Sequence, residues 1–341
     1  MKVLVTGGAG FIGSNFVRLL LSAHRDVEIV NFDKLTYAGN PESLADAAHD
    51  PRYHFIRGDI TDRNALGELF RRGFDAVVHF AAETHVDRSI EDASPFLKTN
   101  IFGTQCLLEA VRIFPEVRFI HISTDEVYGS APARIQFKEE SPLDPRNPYA
   151  ASKASAEHFV TAYANTYGIS SVILRCTNNF GPFQFPEKLI PLMIANASED
   201  KPLPIYGDGL QERDWLFVED YCRAIALALE KAKPGSIYNV SSGVSQPNLK
   251  IVRTILQLLG KPESLIEYVK DRPGHDRRYA LDSSRIQREL GWSSQVGFED
   301  GIRKTIQWYR SNSEWLDHAR SGEYRNYYDR HYNRRSETFR S

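Results

Sequence analysis

The first half of the chain alternates between two hydrophobic periods. The runs KVLVTG, VEIVNFD, YHFIRGDI, DAVVHFAA and VRFIHIST are short, β-branched and apolar nearly throughout. Between them, as in SNFVRLLLSAH, apolar residues recur at three- and four-residue spacing. The first pattern predicts strands and the second helices. Strands apolar on both faces are those that helices cover on both sides of a parallel sheet. The alternation therefore predicts an α/β protein, a doubly wound parallel sheet with right-handed crossovers.

The pattern changes after about residue 180. SSVILRCTNNFG still has the character of a sheet strand, but PFQFPEKLIP, KPLPIYGDGLQERDW and DRPGHDRRY are rich in Pro and Gly. They predict loops and a hairpin set between the helices FVEDYCRAIALALEKA and LKIVRTILQLLG. The expected organisation is a sheet domain over residues 1–180 that carries the catalytic residues. A smaller substrate-binding region follows over 181–330, from which some strands return to the sheet, and then a tail over 331–341. The final stretch, SGEYRNYYDRHYNRRSETFRS, is rich in Tyr and Arg and reads as a frayed or partner-covered end.

Composition narrows the classes of function. The formal net charge of -2 over 341 residues disfavours nucleic acid and membrane surfaces as partners, since both call for a basic face. Any anion bound must be held by a local cluster of cations or helix N-termini. Cys106, Cys176 and Cys222 are widely spaced, so neither a disulfide framework nor a metal site is expected. The N-terminus enters a strand without a signal-peptide layout, and no apolar run approaches a membrane span. A cytoplasmic protein is expected.

TGGAGFIGS places Gly8, Gly10 and Gly13 in a G-x-G-x-x-G spacing, and Gly7, Gly10 and Gly13 in a related one. Glycines cluster in many turns, so the pattern alone is weak. Here it follows a strand and opens a helix, where close backbone approach and the helix N-terminus suit a pyrophosphate. The next strand ends at Asp33, whose carboxylate can accept from both ribose hydroxyls and repels a 2′-phosphate. NAD is therefore favoured over NADP, a preference that Lys34 weakens slightly. Asp59, expected at the end of the third strand, could reach the adenine edge.

NPYAASKASAEHF carries Tyr149 and Lys153 four residues apart, on one face of a helix. An ammonium beside a phenol lowers its pKa, and a phenolate can deprotonate an alcohol while NAD takes the hydride. Such a pair is usually surface decoration; in a dinucleotide fold, after a strand ending in Thr124, it reads as chemistry. Asp125 and Glu126 follow Thr124 directly. Neighbouring carboxylates are normally solvated. To serve one substrate, the backbone must leave regular strand geometry near Thr124, because successive strand residues point oppositely.

TGGAGFIG, AAETHVDRS, STDEVYG, YAASK, NNFGPFQFPEKLIP and DRPGHDRRYALD together resemble the extended short-chain dehydrogenase/reductase family, and within it the dTDP-glucose 4,6-dehydratases, over roughly residues 1 to 330. The resemblance implies a Rossmann-type fold, bound NAD and a homodimer. It also implies dehydration of dTDP-glucose to the 4-keto-6-deoxy sugar. Tyr149 would be the base at carbon 4, supported by Lys153, with Thr124 bonded to the same hydroxyl. Glu126 would take the proton from carbon 5, and Asp125 would protonate the hydroxyl leaving carbon 6. An isolated Asp titrates at about 4, so burial and the Glu126 charge must raise Asp125 if it is to act as an acid.

The same resemblance implies that Gly7, Gly10, Phe11, Ile12, Gly13, Asp33, Lys34, Leu35, Thr36, Asp59 and Ile60 hold NAD. Phe80, Ala81, Ala82, Glu83, Thr99 and Asn179 would complete that set with Tyr149 and Lys153. Thr84, Asn178, Lys188, Leu189, Pro204, Tyr206, Arg213, Asn248, Asp271, Arg272 and His275 would contact the nucleotide sugar. Arg213, Arg272 and His275 are independently the groups a diphosphate needs; any one alone could be solvated surface. The apolar AASKASAEHFVTAYANTYG helix suits a dimer interface. The rivals are a UDP-glucose 4,6-dehydratase, a nucleotide-sugar 4-epimerase and a catalytically silent NAD-binding scaffold. An epimerase has no use for an acid/base pair after Thr124. A GDP-mannose dehydratase is expected to show Thr-x-Glu without the Asp.

Overall fold

The structure, a computed structural model, describes residues 1–321. The remainder of the Tyr- and Arg-rich end, with the tail set apart at 331–341, lies outside the described residues. In the sheet half the chain runs β1 (Lys2–Thr6), α1 (Phe11–Ala23), β2 (Glu28–Asp33), β3 (Tyr53–Arg57), α2 (Arg63–Phe70) and β4 (Ala76–His79). It continues through the short helices α3 (Val86–Glu91) and α4 (Ser94–Phe96), a π-helical turn at Leu97–Gly103, α5 (Thr104–Ile113) and β5 (Arg118–Thr124). Then come α6 (Pro148–Tyr167) and β6 (Ser171–Cys176). Asp62 caps α2 by accepting from Asn64 and Ala65. Asn147 caps α6 through Ala150, Pro148 opens that helix, and Gly168 closes it at a φ of 71°.

The second half comprises β7 (Asn178–Phe180), α7 (Leu189–Ser198), β8 (Leu203–Tyr206), β9 (Glu212–Phe217), α8 (Val218–Lys231) and β10 (Ile237–Val240). After these come β11 (Ser245–Pro247), α9 (Asn248–Leu259), β12 (Ile266–Val269), α10 (Ser284–Leu290), α11 (Phe298–Ser311) and α12 (Ser313–Ala319). Seven parallel strands form the central sheet in the order β10-β6-β5-β4-β1-β2-β3. Val3, Val5, Ile120 and Val172 pack against α1 and α8 on one face. On the other, Leu4, Val77, Phe119 and Ile173 pack with residues of α2, α5 and α6. This is the doubly wound Rossmann sheet expected from strands apolar on both sides.

Two local expectations gave way to long-range pairing. SSVILRCTNNFG is two strands, because the chain breaks at Thr177: β6 stays in the main sheet and β7 joins β9 in another. KPLPIYGDGLQERDW forms no hairpin. Its strand β8 pairs in parallel with the distant β12, while β9 pairs with β7 and β11. The apolar partners of β8 and β9 lie elsewhere in the chain, and burying them in the core around Ile190, Trp215 and Ile251 outweighs closing a local turn. From the second half, β10 pairs with β6 in the main sheet and α8 packs against α1 and β5. Among the described residues no helix is long and apolar enough to cross a membrane.

Candidate active site

A long cleft lies over the C-terminal ends of β1, β2, β4 and β5. Its floor begins at the glycine turn. Gly7 has a φ of 72°, and a Cβ there would lie 2.5 Å from the Ala81 nitrogen. At Gly13 a Cβ would meet the Gly7 carbonyl at 2.5 Å. The turn thus lets β1 pass close under the segment after β4. Helix α1 starts at Phe11 with no side-chain cap and no acid in its first turn, so its amide end is left for an anion. Gly10, Phe11 and Ile12 all line the cleft.

Asp33 is buried at the end of β2, and its carboxylate accepts from the Ala9 and Leu35 nitrogens at 2.9 and 2.8 Å. Burial raises its pKa and these two bonds pull it back only in part. Lys34 pairs with Asp59 at 2.8 Å, so its ammonium is occupied rather than offered to a 2′-phosphate. Asp59 lies in the turn beyond β3, two residues past the strand's last member Arg57. Thr36, Ile60, Phe80, Ala81, Ala82, Glu83, Thr99 and Asn179 line the same cleft. Leu35 does not; it takes a φ of 58° and serves through its backbone. A glycine cradle, an uncapped helix start and an acid at the end of β2 fit a dinucleotide such as NAD.

At the sugar end, β5 stops at Thr124 and the chain tightens into a 3-10 turn over Asp125–Tyr128. Thr124 caps that turn by accepting from the Glu126 nitrogen at 3.3 Å. This is the departure from strand geometry that two adjacent carboxylates need, and both line the cleft. Asp125 is 3% exposed, and its Oδ2 has no hydrogen-bond partner in the protein. Burial first, and the Glu126 charge second, push its pKa up to about 8. Glu126 accepts from Asn147 Nδ2 at 3.1 Å and from the Tyr279 hydroxyl at 3.3 Å. One carboxyl group is thereby kept protonated beside one held as an acceptor.

Helix α6 brings Tyr149 and Lys153 to the same cleft from the other side. Lys153 Nζ donates to the Ile122 carbonyl at 2.7 Å, and burial lowers its pKa to about 8 against the pull of Glu157. Tyr149 is held well above the usual phenol value by burial, then by Glu126 and Cys176. The lowering expected from Lys153 is thus outweighed: the phenol sits between desolvation and a carboxylate.

The nucleotide-binding residues anticipated from sequence fall into two groups. Thr84, Asn178 and Lys188 line the cleft, and Lys188 donates to the Thr84 carbonyl at 2.9 Å. Leu189 starts α7 directly behind Lys188, and Pro204 lies within β8. Tyr206, Arg213, Asn248, Asp271, Arg272 and His275 belong to the second half and are not among the residues that line this cleft. There Arg213 stacks 4.1 Å above the Tyr279 ring and donates to the Asp276 carbonyl. Asp271 receives the Arg272 nitrogen, Gln211 and His275 Nδ1. Burial, then Arg272 and Arg213, hold His275 down to about 4, so it is neutral at physiological pH. Arg272 Nε and Asn248 Oδ1 are buried without a partner in the protein.

Several residues had no role assigned from sequence although they lie inside the motifs quoted for the resemblance. Asp87 of AAETHVDRS is 1% exposed; it pairs with Arg272 at 3.1 Å and accepts from the Tyr206 hydroxyl at 2.9 Å. Glu187 lies beside Arg88 at 3.6 Å, and burial raises it to about 7. Tyr279 touches Glu126. The signal for each was a polar residue inside a motif, but its partner lies far along the chain. Among the described residues, no group of His, Cys, Asp and Glu is placed to hold a metal ion.

Comparison with known proteins agrees with this geometry. A family model described as GDP-mannose 4,6 dehydratase matches residues 4–305. The dTDP-glucose 4,6-dehydratase 1 of Escherichia coli is 49% identical, over 97% of this chain and 99% of its own. The crystal structure of DesIV, a dTDP-glucose 4,6-dehydratase from Streptomyces venezuelae with NAD and TYD bound, superposes with a TM-score of 0.91 at 48% identity, covering 94% of this chain and 100% of that one. The UDP-glucose 4-epimerase of Thermus thermophilus, solved with NAD, is more distant at a TM-score of 0.84 and 34% identity, over 92% and 100% of the two chains. With sequence and fold matched over nearly its whole length, the chain belongs to the dTDP-glucose 4,6-dehydratase family of extended short-chain dehydrogenases/reductases.

Proposed function

We propose that the protein dehydrates dTDP-glucose to dTDP-4-keto-6-deoxyglucose, as an NAD-dependent hydro-lyase. The observation that carries this reading is the pair after β5: Asp125 raised to about 8 beside the acceptor-held Glu126. An epimerase, which removes and restores hydrogen at one carbon, has no step for such a pair.

The glycine turn, Asp33 and the residues around Ala81 would hold NAD, which would supply the hydride acceptor for carbon 4 and the hydride donor for carbon 6. The protein's own groups handle the protons. Tyr149, deprotonated under the added positive charge of the cofactor, takes the proton of the carbon 4 hydroxyl, which Thr124 orients. Lys153 keeps a cation beside that phenolate. The ketone acidifies the neighbouring hydrogen; Glu126 removes it from carbon 5 and returns a proton there when hydride reaches carbon 6. Asp125 gives its proton to the hydroxyl leaving carbon 6 as water. Arg213, Arg272, Lys188 and Asn248 take the diphosphate and the attached groups.

Residues 1–180 together with α8 and β10 form the cofactor unit in this reading, and the rest of the second half forms the nucleotide unit. Phe159 and Tyr167 of α6, with Phe102 and Ile113 nearby in sequence on α5 and the turn before it, are exposed apolar residues. They support a homodimer joined along these helices. A cytoplasmic location completes the proposal.

The test is incubation with dTDP-glucose, UDP-glucose and GDP-mannose separately in deuterated water, followed by mass spectrometry. The expected product arises from dTDP-glucose, has lost one water and carries deuterium at carbon 5. An epimer of unchanged composition overturns the dehydratase reading, and preferential turnover of UDP-glucose overturns the thymidine assignment.

A further inference from the structure

Behind the catalytic pair of α6 lies a buried ionic group that the reaction as derived above does not use. Glu157 is 2% exposed, one helical turn beyond Lys153 on the same face. Neighbouring residues of β5 receive the two side chains: Lys153 Nζ donates to the Ile122 carbonyl, and the Ser123 hydroxyl donates to Glu157 Oε1. From β6, Arg175 grips both carboxylate oxygens: Nε donates to Oε1 at 3.1 Å and to Oε2 at 2.9 Å, and Nη2 donates to Oε2 at 2.6 Å. The same guanidinium donates to the Tyr128 hydroxyl and to the Glu139 carbonyl. Ser123 directly precedes Thr124, and Tyr128 closes the Asp125–Tyr128 turn, so this group abuts the site from behind.

A buried ion pair is rarely a net source of stability, since desolvating both charges offsets their attraction. A buried cation such as Lys153 needs a counter-charge, and the groups around it otherwise give none. Facing it are His121 of β5 and His79 of β4, which burial keeps neutral, the Cys176 thiol of β6, raised by burial to about 12, and the Tyr149 phenol on its own helix. Glu157 is the charge that most favours the Lys153 cation.

We propose that Glu157 is a positioning residue for the reaction: held in place by Ser123 and Arg175, it keeps the Lys153 ammonium charged behind Tyr149, and Arg175 sets how much of its negative charge Lys153 feels. The inference rests on the dehydratase reading above and adds to it the residue on which the Tyr149–Lys153 pair depends. It carries an opposite-sign expectation that a packing role does not. Glu157→Gln removes the anion and leaves Arg175 uncompensated, so Lys153 loses its proton at lower pH. Arg175→Met leaves Glu157 to Lys153 alone, so the ammonium persists to higher pH.

The readout is the 13Cε resonance of Lys153 in the full-length protein, assigned by its loss in Lys153→Met and titrated with pH. Glu157→Gln is expected to lower the midpoint by about one unit or more, Arg175→Met to raise it, and Glu157→Asp to restore it in part. In parallel, a drop of one unit from about 8 lowers single-turnover oxidation of dTDP-glucose at pH 8 roughly fivefold. Midpoints that stay fixed, or that move the same way in Glu157→Gln and Arg175→Met, overturn the inference. If Glu157→Gln fails to fold, the Arg175→Met shift alone decides. A wild-type protein that never oxidises dTDP-glucose refutes the dehydratase reading instead, and the titration distinguishes the two failures.

Discussion

At the scale of single residues, the site turns on two adjacent carboxyl groups that share a turn but not a protonation state. Asp125 is raised by burial and by its neighbour, so elimination of water is expected to fall as pH rises past about 8. Asp125→Asn is expected to oxidise carbon 4 normally but to lose water about a hundredfold or more slowly, in rapid-quench product analysis. The same shift has a stability consequence. A folded-state pKa above the unfolded value of about 4 means that the native state retains a proton which the unfolded chain releases. The Asp125 contribution to stability therefore declines as pH rises from about 4 towards 8, and Asp125→Asn should gain in thermal midpoint over wild type more at pH 8 than at pH 5. Glu126→Gln has a different expected signature: reduced nicotinamide accumulates in its near-ultraviolet absorbance while no water is lost. The identity of both residues was legible from STDEVYG, and so was the need for a raised Asp. That the rise is driven first by burial was not, because burial is a property of what packs over the turn.

At the scale of elements, the glycine turn separates what the fold requires from what the ligand requires. A Cβ at Gly13 meets backbone at 2.5 Å on Gly7 and 2.8 Å on Gly8, whereas at Gly10 the nearest protein atom is 3.3 Å away. Gly13→Ala should cost roughly 1–3 kcal/mol of stability as well as cofactor affinity. Gly10→Ala should melt close to wild type yet bind NADH at least several-fold more weakly. Thermal melts and fluorescence titration check both, and a Gly10→Ala variant with full affinity would remove that glycine from the cofactor site. The turn, the α6 start at Asn147-Pro148 and the end at Gly168 were all readable because each depends on residues a few positions apart. KPLPIYGDGLQERDW, one of the segments expected to supply loops and a hairpin, forms no hairpin, because β8 and β9 take strands from residues 266–269, 178–180 and 245–247 as partners. Turn residues within a segment say that the chain bends; they do not say which strand lies beside it.

At the scale of the whole molecule, the two halves are tied together by Asp87, which receives both Arg272 and the Tyr206 hydroxyl. Burial alone would raise the Asp87 carboxyl, but Arg272, then His85 and Tyr206, hold it well below the usual range. Its contribution to stability is therefore present above the unfolded value of about 4 and is lost as pH falls below it. Asp87→Asn leaves Arg272 buried and unpaired, which typically costs about 3–5 kcal/mol. In urea unfolding, that deficit is expected at neutral pH and should shrink in acid. An equal deficit at every pH would show that the charge of Asp87 is not what joins the halves.

The chain's own sequence determined the sheet, the NAD-type turn, the Tyr149–Lys153 pair and the Thr124-Asp125-Glu126 run, since each is written in residues that are neighbours or one helical turn apart. Tertiary structure alone decided which strands pair in the second half, that Lys34 is taken up by Asp59, that the Tyr149 phenol is pushed up rather than down, and that Asp87 and Glu157 stand behind the reacting groups. The physical reason is common to all of these. Periodicity and motif spacing are local, whereas desolvation and Coulomb attraction depend on distances that exist only once residues a hundred positions apart have been packed together.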